Sequence, residues 1–160
     1  MIDLSIVNTI ADHLKKYNLI IATAESCTGG LLSHTLTNVS GSSEYFERGV
    51  VTYSNKAKME LLKVPQKTLD DYGAVSFQTA KAMAMGVKDL AKVDIGISTT
   101  GIAGPTGGTI EKPVGLVYIG IATAKNSYVK RFIFSKDRIQ VKKETCMKAL
   151  ELLLGALENW

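Results

Sequence analysis

The residues best suited to chemistry surround a serine in a glycine-bearing turn, Ala24-Glu-Ser-Cys-Thr-Gly-Gly30. An apolar run precedes this turn and a helical pattern follows it, so Ser26 is expected between a strand and a helix. A hydroxyl there lies near free backbone N–H groups, which stabilise a phosphate or the oxyanion of an acyl transfer. Serine and threonine before a helix are also common caps, and that interpretation stays open at this point.

A nucleophilic serine needs a base, because an unassisted hydroxyl reacts poorly at neutral pH. His13 lies on an amphipathic helix and His34 lies more than two helical turns beyond Ser26, which argues against a Ser-His-Asp triad. Lys56 and Lys58 are the remaining candidates. Their two-residue spacing points them in different directions on a helix, so only one can face Ser26, and spacing alone does not choose. Either lysine would need burial or neighbouring cations to lower its pKa.

A glycine-rich loop over residues 100–108 follows a third predicted strand. It lacks the Lys-Ser or Lys-Thr of a Walker A loop and fails the G-x-G-x-x-G pattern, so neither ATP hydrolysis nor a Rossmann site is expected. The loop either approaches a ligand through its backbone or simply connects two strands. Arg138, at the start of the last predicted helix, can grip a phosphate or carboxylate bidentately, and an exposed arginine is the alternative.

The basic residues are concentrated toward the C-terminus. The whole chain carries a formal charge of +4, and residues 125–148 contain eight Lys or Arg against two acidic residues. This stretch suits a small phosphorylated ligand. It lacks the aromatic signature, helix-turn-helix pattern or zinc finger of a nucleic-acid-binding module, so nucleic acid is not an expected partner.

Composition favours one ordinary globular domain spanning residues 1–160, since 46% of the residues are hydrophobic and 21% are charged. No apolar stretch approaches the length of a membrane helix and no signal peptide is evident, which predicts a cytoplasmic protein without membrane attachment. Cys27 and Cys146 are expected to be reduced, and the His, Cys and acidic residues lack metal-ligand spacing. We therefore predict no metal and no cofactor.

Hydrophobic periodicity predicts helices alternating with about five strands. Three predicted helices cover residues 4–17, 28–37 and 55–62. A fourth predicted helix is capped by Ser76 and has a core stripe of Ala80, Met83, Ala84, Val87 and Leu90. The last predicted helix buries Cys146, Ala149, Leu150, Leu153, Leu154 and Leu157 on one face. Predicted strands cover residues 19–23, 48–53, 93–99, 115–123 and 128–134, the last two forming a hairpin. This order indicates an α/β fold, a three-layer α/β/α sandwich around a mixed, mostly parallel sheet.

Taken together, the segments are more specific than any one alone. They are Ala24-Glu-Ser-Cys-Thr-Gly-Gly30, Gly49-Val-Val-Thr-Tyr-Ser-Asn-Lys-Ala-Lys58, Gly73-Ala-Val-Ser76, Thr100-Gly-Ile-Ala-Gly-Pro-Thr-Gly-Gly108, Lys112-Pro-Val-Gly115 and Asp137-Arg138. In this order, across nearly the whole chain, they closely resemble the CinA C-terminal domain family, the nicotinamide-nucleotide amidases.

The resemblance implies a metal-independent enzyme that hydrolyses the carboxamide of nicotinamide mononucleotide, giving nicotinate mononucleotide and ammonia. It implies that Ser26 is the nucleophile and Lys58, rather than Lys56, the base. Tyr53, Thr100 and Arg138 match the family's other active-site positions. It also implies a homodimer or a larger homo-oligomer.

Combined with the chemistry of amide hydrolysis, these assignments give each segment an expected role. Backbone N–H groups of Cys27, Thr28, Gly29 and Gly30 are expected to hold the oxyanion. Arg138 is expected to bind the substrate phosphate, with the backbone of Gly101 and Gly104 near the substrate. Cys27 is the rival nucleophile, because a thiol is intrinsically more reactive than a hydroxyl.

Two positions depart from the family pattern. Lys142 stands where relatives often carry arginine, and Glu111 is a single acid where relatives often have two. The separate N-terminal domain of many relatives is expected to be absent. The alternative function is a non-catalytic nucleotide-binding or competence-related module that kept the pocket and lost turnover.

Overall fold

A five-stranded sheet lies between two layers of helices in the computed structural model, which describes residues 3–160. Met1 and Ile2, included in the predicted domain, lie outside the described residues. The helices are α1 (Leu4–Lys16), α2 (Leu31–Leu36), α3 (Asn55–Leu62), α4 (Gln66–Tyr72), α5 (Phe77–Ala91) and α6 (Arg138–Glu158). The strands are β1 (Ile21–Glu25), β2 (Phe46–Val51), β3 (Ile95–Gly101), β4 (Leu116–Ala122) and β5 (Ser127–Ile133).

The sheet is mixed, with strand order β2-β1-β3-β4-β5. Strand β1 pairs in parallel with both β2 and β3, whereas β4 is antiparallel to β3 and to β5, so the predicted hairpin is present. The three parallel strands end at one edge of the sheet, where Glu25 is in register with Val51 and Thr99. Ligands bind beyond the carboxyl ends of strands in open α/β sheets, so this edge is where a site is expected.

Two separate apolar cores confirm the three-layer α/β/α arrangement. One core joins α1, α2 and α6 to one face of the sheet, and its members include Val7, Ile10, Leu14, Ile21, Leu32, Leu36, Ile97, Ile119, Val141, Leu150 and Leu153. The other joins α3, α4 and α5 to the opposite face through residues that include Ala22, Ala24, Leu62, Leu69, Met83 and Val87. The central strands β1, β3 and β4 are buried almost throughout because both faces are covered.

Side-chain caps start four of the six helices. The oxygens of Asp3, Ser54, Ser76 and Asp137 accept the free backbone N–H groups at the starts of α1, α3, α5 and α6. The predicted cap at Ser76 is therefore confirmed, because its hydroxyl accepts a hydrogen bond from the Thr79 amide. These caps fix where α3 and α6 begin, and both helices carry residues of the predicted site.

Some predicted boundaries differ from the structure. Helix α4 is not among the predicted helices; it follows Pro65, whose fixed φ and missing N–H suit the residue that precedes a helix. Leu90 was predicted in the core, but it is 40% exposed at the end of α5. A short 3-10 helix, Ser42–Glu44, lies between the second predicted helix and the second predicted strand. No helix among residues 3–160 combines the length and the hydropathy that crossing a membrane requires.

Gly86 on α5 permits the close approach of α3, the helix that carries Lys58. A Cβ atom at Gly86 would lie 2.1 Å from the carbonyl oxygen of Leu62, whereas nothing lies within 4 Å of the same atom at Gly155 on α6. We expect Gly86→Ala to lower the free energy of unfolding by about 1–3 kcal/mol through overpacking. Gly155→Ala should instead raise it by up to about 1 kcal/mol, the helix preference for alanine.

Urea denaturation of the two variants and the wild type measures both effects. Equal stabilisation by the two substitutions would contradict the close packing of α3 on α5.

Candidate active site

Ser26 and Lys58 are in direct contact at the carboxyl edge of the sheet. Ser26 is the first residue after β1, and Lys58 lies one turn into α3, which Ser54 caps. Lys58 Nζ lies 2.9 Å from Ser26 Oγ and donates a second hydrogen bond, 2.7 Å long, to the Thr52 carbonyl. Lys56 instead points to solvent, where it pairs with Glu60 at 3.7 Å. The structure thus brings Lys58, and not Lys56, to the serine.

Burial changes the protonation of this lysine. Lys58 is only 1% exposed, and desolvation lowers its pKa from 10.5 to about 8, since water no longer stabilises the ammonium form. The Thr52 carbonyl fixes the amine, and no carboxylate pairs with it among the described residues. A lysine in this environment can act as a base near neutral pH.

Cys27 is next to Ser26 but has the wrong ionisation for a nucleophile. Its side chain is 6% exposed, and desolvation, with a smaller contribution from the Glu25 charge, raises its pKa to about 12. The thiol therefore stays protonated at neutral pH, and the thiolate is the reactive form of cysteine. The geometry favours the hydroxyl over the thiol.

The turn between β1 and α2 is longer than predicted. Helix α2 begins at Leu31, and Gly29 and Gly30 adopt φ values of 61° and 102°, a region that glycine occupies without strain. Within the described residues, the N–H groups of Cys27, Thr28 and Gly30 donate to no backbone acceptor, whereas that of Gly29 donates to the Ser26 carbonyl. Of the four predicted anion donors, only Cys27 lines the cleft around Ser26, and Thr28 is fully buried.

Tyr53 and Arg138 meet across the mouth of the cleft. Arg138 donates from Nη1 to the Gly104 carbonyl at 2.8 Å and from Nη2 to the Tyr53 hydroxyl at 3.0 Å. These contacts use two of the five guanidinium N–H groups. The arginine therefore ties α6 to the glycine-rich loop while keeping donors free for an anion.

Thr100 lies at the bottom of the same cleft without touching the dyad. Its hydroxyl donates to the Ala74 carbonyl at 2.7 Å, which joins the end of β3 to the segment before α5. Thr100 thus positions the cleft wall, and Tyr53 lies on the open side at 61% exposure. This difference separates two residues that the sequence left equivalent.

One cleft of about 260 Å³ brings together most of the predicted residues, but Thr28, Gly29 and Gly30 do not line it. Its lining includes Ser26, Cys27, Tyr53, Lys58, Thr100, Gly101, Gly104 and Arg138. His13 and His34 do not contribute to it. A larger apolar groove of about 520 Å³ lies between α3 and α5, but no serine, threonine or cysteine lines it. The smaller cleft is therefore the candidate active site.

Sequence reasoning missed Glu25, a fully buried carboxylate next to Ser26. A glutamate at the end of an apolar strand was the available signal, because acidic side chains are almost never fully buried unless paired. Among residues 3–160, no three His, Cys, Asp or Glu side chains lie close enough together to hold a metal ion.

Known proteins resemble this chain in sequence and in fold. The sequence model of the CinA C-terminal domain matches residues 3–157. A protein from Thermoanaerobacter sp. (strain X514) that is named a competence-damage inducible protein is 55% identical to this chain over 140 residues. The match covers 88% of this chain and 34% of that protein. This chain spans about a third of the length of the curated relatives it matches.

Solved structures superpose closely. The competence/damage inducible protein CihA from Agrobacterium tumefaciens has a TM-score of 0.93 at 39% identity, over 97% of this chain and 94% of that one. A CinA superfamily protein from Klebsiella pneumoniae 700603 has a TM-score of 0.94 at 32% identity, over 98% of both chains.

The lowered pKa of Lys58 predicts a specific pH dependence of stability. Between pH 8 and pH 10.5 the unfolded lysine stays protonated while the folded one is neutral, so stability rises with pH in this window. Across this window we expect the free energy of unfolding of the wild type to rise by about 3 kcal/mol relative to that of Lys58→Met, since each pKa unit corresponds to about 1.4 kcal/mol. Below pH 8 the difference should be constant.

Urea unfolding of both proteins at pH 7, 8, 9 and 10 tests this expectation. A stability difference that does not change with pH would mean that Lys58 titrates as an exposed lysine does.

Proposed function

This chain belongs to the CinA C-terminal domain family, and from that membership and its cleft we propose that it hydrolyses the carboxamide of nicotinamide mononucleotide to nicotinate mononucleotide and ammonia. The observation that carries the proposal is the buried 2.9 Å contact between Lys58 Nζ and Ser26 Oγ. A primary amide is an unactivated acyl donor, so its hydrolysis needs an activated nucleophile, oxyanion donors and an acid for the leaving nitrogen. The cleft holds a group for each task.

In the proposed acylation step, neutral Lys58 removes the proton of Ser26 while Oγ attacks the carboxamide carbon. Oxyanion charge then develops beside the N–H group of Cys27, which lines the cleft next to Ser26. The Lys58 ammonium donates its proton to the departing nitrogen, the C–N bond breaks, and ammonia leaves an ester on Ser26. The Thr52 carbonyl keeps the amine in place through both proton transfers.

Deacylation repeats the same proton transfers with water. Lys58, neutral again after giving its proton to the departing nitrogen, takes a proton from a water molecule that attacks the ester carbon. Collapse of the second tetrahedral intermediate breaks the C–Oγ bond, and Lys58 returns the proton to Ser26. The product is the carboxylic acid, and the enzyme regains its starting state.

The pKa of about 8 makes this exchange practical at physiological pH. An ordinary lysine is neutral in fewer than about one molecule in a thousand at pH 7, whereas about a tenth of the molecules are neutral when the pKa is 8. The ammonium form is also a stronger acid than that of an ordinary lysine, which favours protonation of the leaving nitrogen. A base poised near the working pH serves both directions of transfer.

The charge of the cleft mouth supports a phosphorylated substrate. Arg138 keeps free guanidinium donors beside Tyr53 and Gly104, and these can bind phosphate while the carboxamide reaches Ser26. The names of the relatives favour a second candidate, a competence-related module that binds a nucleotide without turnover.

Incubation of purified protein with nicotinamide mononucleotide separates the two candidates. Ammonia release that is stoichiometric with nicotinate mononucleotide supports the amidase. Calorimetric binding of the mononucleotide by folded protein, without ammonia release, favours the second candidate.

Substitutions of the dyad should remove the activity without unfolding the domain. We expect Ser26→Ala and Lys58→Met each to lower kcat by about a thousandfold or more, because each removes a group needed in every turnover. Cys27→Ala is the matched control and should stay within about threefold of the wild type. Ammonia release measures the rates, and circular dichroism checks the fold.

Loss of activity in Cys27→Ala with retention in Ser26→Ala would assign the nucleophile to the thiol. A Lys58→Met enzyme near the wild-type rate would remove the base from the proposal.

Removing Arg138 should weaken binding more than chemistry. We expect Arg138→Ala to raise KM for the mononucleotide by about tenfold or more, with a smaller change in kcat, as charge-assisted phosphate contacts are lost. Lys143→Ala removes an equal charge elsewhere on α6 and should change KM by less than about threefold. Equal increases in KM for the two variants would indicate that the overall positive charge attracts the substrate, without a direct contact at Arg138.

A further inference from the structure

Glu25 is a charged side chain that the proposed chemistry does not use. It is fully buried at the end of β1, directly before Ser26. Its Oε1 accepts from the Thr28 hydroxyl at 2.6 Å and the Leu32 amide at 2.8 Å. Its Oε2 accepts from the Ser33 amide at 3.0 Å and the Ser33 hydroxyl at 2.6 Å. The carboxylate therefore joins the first turn of α2 to the segment that carries the nucleophile.

The donors around Glu25 have a defined direction. Thr28 has one hydroxyl proton and gives it to Glu25, so in the 2.7 Å contact between Thr28 and Thr99 the proton comes from Thr99. By the same reasoning Thr23 donates to Ser33 across 2.7 Å. Two hydroxyl chains thus converge on the side chain of Glu25, which accepts in each of its four contacts.

The backbone connects this network to both members of the dyad. The Ser26 amide donates to the Thr99 carbonyl at 2.9 Å, and the Glu25 carbonyl accepts from the Thr52 amide at 2.8 Å. The Thr52 carbonyl in turn holds Lys58 Nζ. The segment that Glu25 anchors therefore contacts the supports of the nucleophile and of the base.

We propose that Glu25 is the positioning residue of this site, holding the turn of residues 26–30 so that Ser26 Oγ reaches Lys58. The inference rests on the proposed function and adds a residue to it. Gln at this position has one acceptor oxygen instead of two, so its amide N–H group must face either the Ser33 donors or the donors of Thr28 and Leu32. Misplacement of a nucleophile by about 1 Å lowers the rate by about a hundredfold.

Gly49 on β2 has a place in the same network. A Cβ atom there would lie 2.2 Å from Ser33 Oγ and 2.7 Å from Thr23 Oγ1, so only glycine leaves room for this hydroxyl chain. The strand next to β1 is thus shaped around the donors of Glu25. This close fit explains why a glycine lies inside the strand, where the absence of a side chain otherwise weakens packing.

Four variants test the inference. Glu25→Gln removes the charge, Thr28→Val removes one donor at nearly constant volume, and Thr28→Ser restores that hydroxyl. Asp94→Asn is the matched control, because Asp94 accepts from the Ile20 amide at the opposite end of the same strands. The readouts are kcat and KM for ammonia release, and the rate at which phenylmethanesulfonyl fluoride modifies Ser26, followed by peptide mass.

We expect Glu25→Gln and Thr28→Val to lower kcat and the rate of Ser26 modification by about 10- to 100-fold, with KM changed by less than about threefold. Thr28→Ser should recover most of the loss that Thr28→Val causes in both rates, and Asp94→Asn should stay within about threefold of the wild type. Should Glu25→Gln fail to fold, the comparison of Thr28→Val with Thr28→Ser decides the same question, because only Thr28→Ser keeps a hydroxyl that can donate to Glu25.

Wild-type rates of Ser26 modification in Thr28→Val and in folded Glu25→Gln would overturn the inference, as would equal losses in Asp94→Asn. Wild-type protein that is modified at Ser26 yet releases no ammonia from the mononucleotide contradicts only the proposed substrate, and the modification rates still test Glu25. If the wild type releases ammonia but is not modified at Ser26, kcat decides, and a wild-type kcat in Thr28→Val and in folded Glu25→Gln overturns the inference.

Discussion

The site depends on the burial of one amine, because the fold holds Lys58 Nζ out of water and against the Ser26 hydroxyl. Lys58 is 1% exposed, and an ammonium ion in that position loses hydration that no carboxylate replaces within the described residues. The lowered pKa is the consequence of this loss. The fold must therefore supply enough apolar packing to keep the amine buried, and the second core beneath α3 supplies it through Leu62, Met83 and Val87.

The parallel part of the sheet explains why the two groups meet. Strands β1 and β2 run in the same direction and end in register, so the residues after them emerge at one edge. Ser26 follows β1 directly, and Thr52 follows β2 with its carbonyl turned to Lys58. Strand β3 adds Thr100 at the same edge, and α6 closes the cleft with Arg138. Four separate segments thus converge on a space of about 260 Å³.

Much of this arrangement could be predicted from sequence. Hydrophobic periodicity predicted the layers, the hairpin and the cap at Ser76, since these follow from local pattern. Local pattern did not choose between Lys56 and Lys58, because that choice depends on the face α3 turns to the sheet; the family resemblance supplied it. Helix α4 was missed although α3 ends at Leu62, with a left-handed Lys63 after it, and Pro65 is the N-cap of the next helix. Glu25 was missed because its hydrogen-bond partners become neighbours only in the folded chain. The Leu32 amide of α2 donates to it, and Thr28, which also donates to it, contacts Thr99 of β3.

The central claim, a buried lysine amine that loses its proton near neutral pH beside Ser26, can be measured directly. Protein labelled with carbon-13 at the lysine Cε atoms can be titrated by NMR in the wild type and in Lys58→Met. The account predicts one Cε signal with a midpoint at about pH 8, absent from the variant. If every lysine of the wild type titrates near its ordinary value of about 10.4, the account is contradicted.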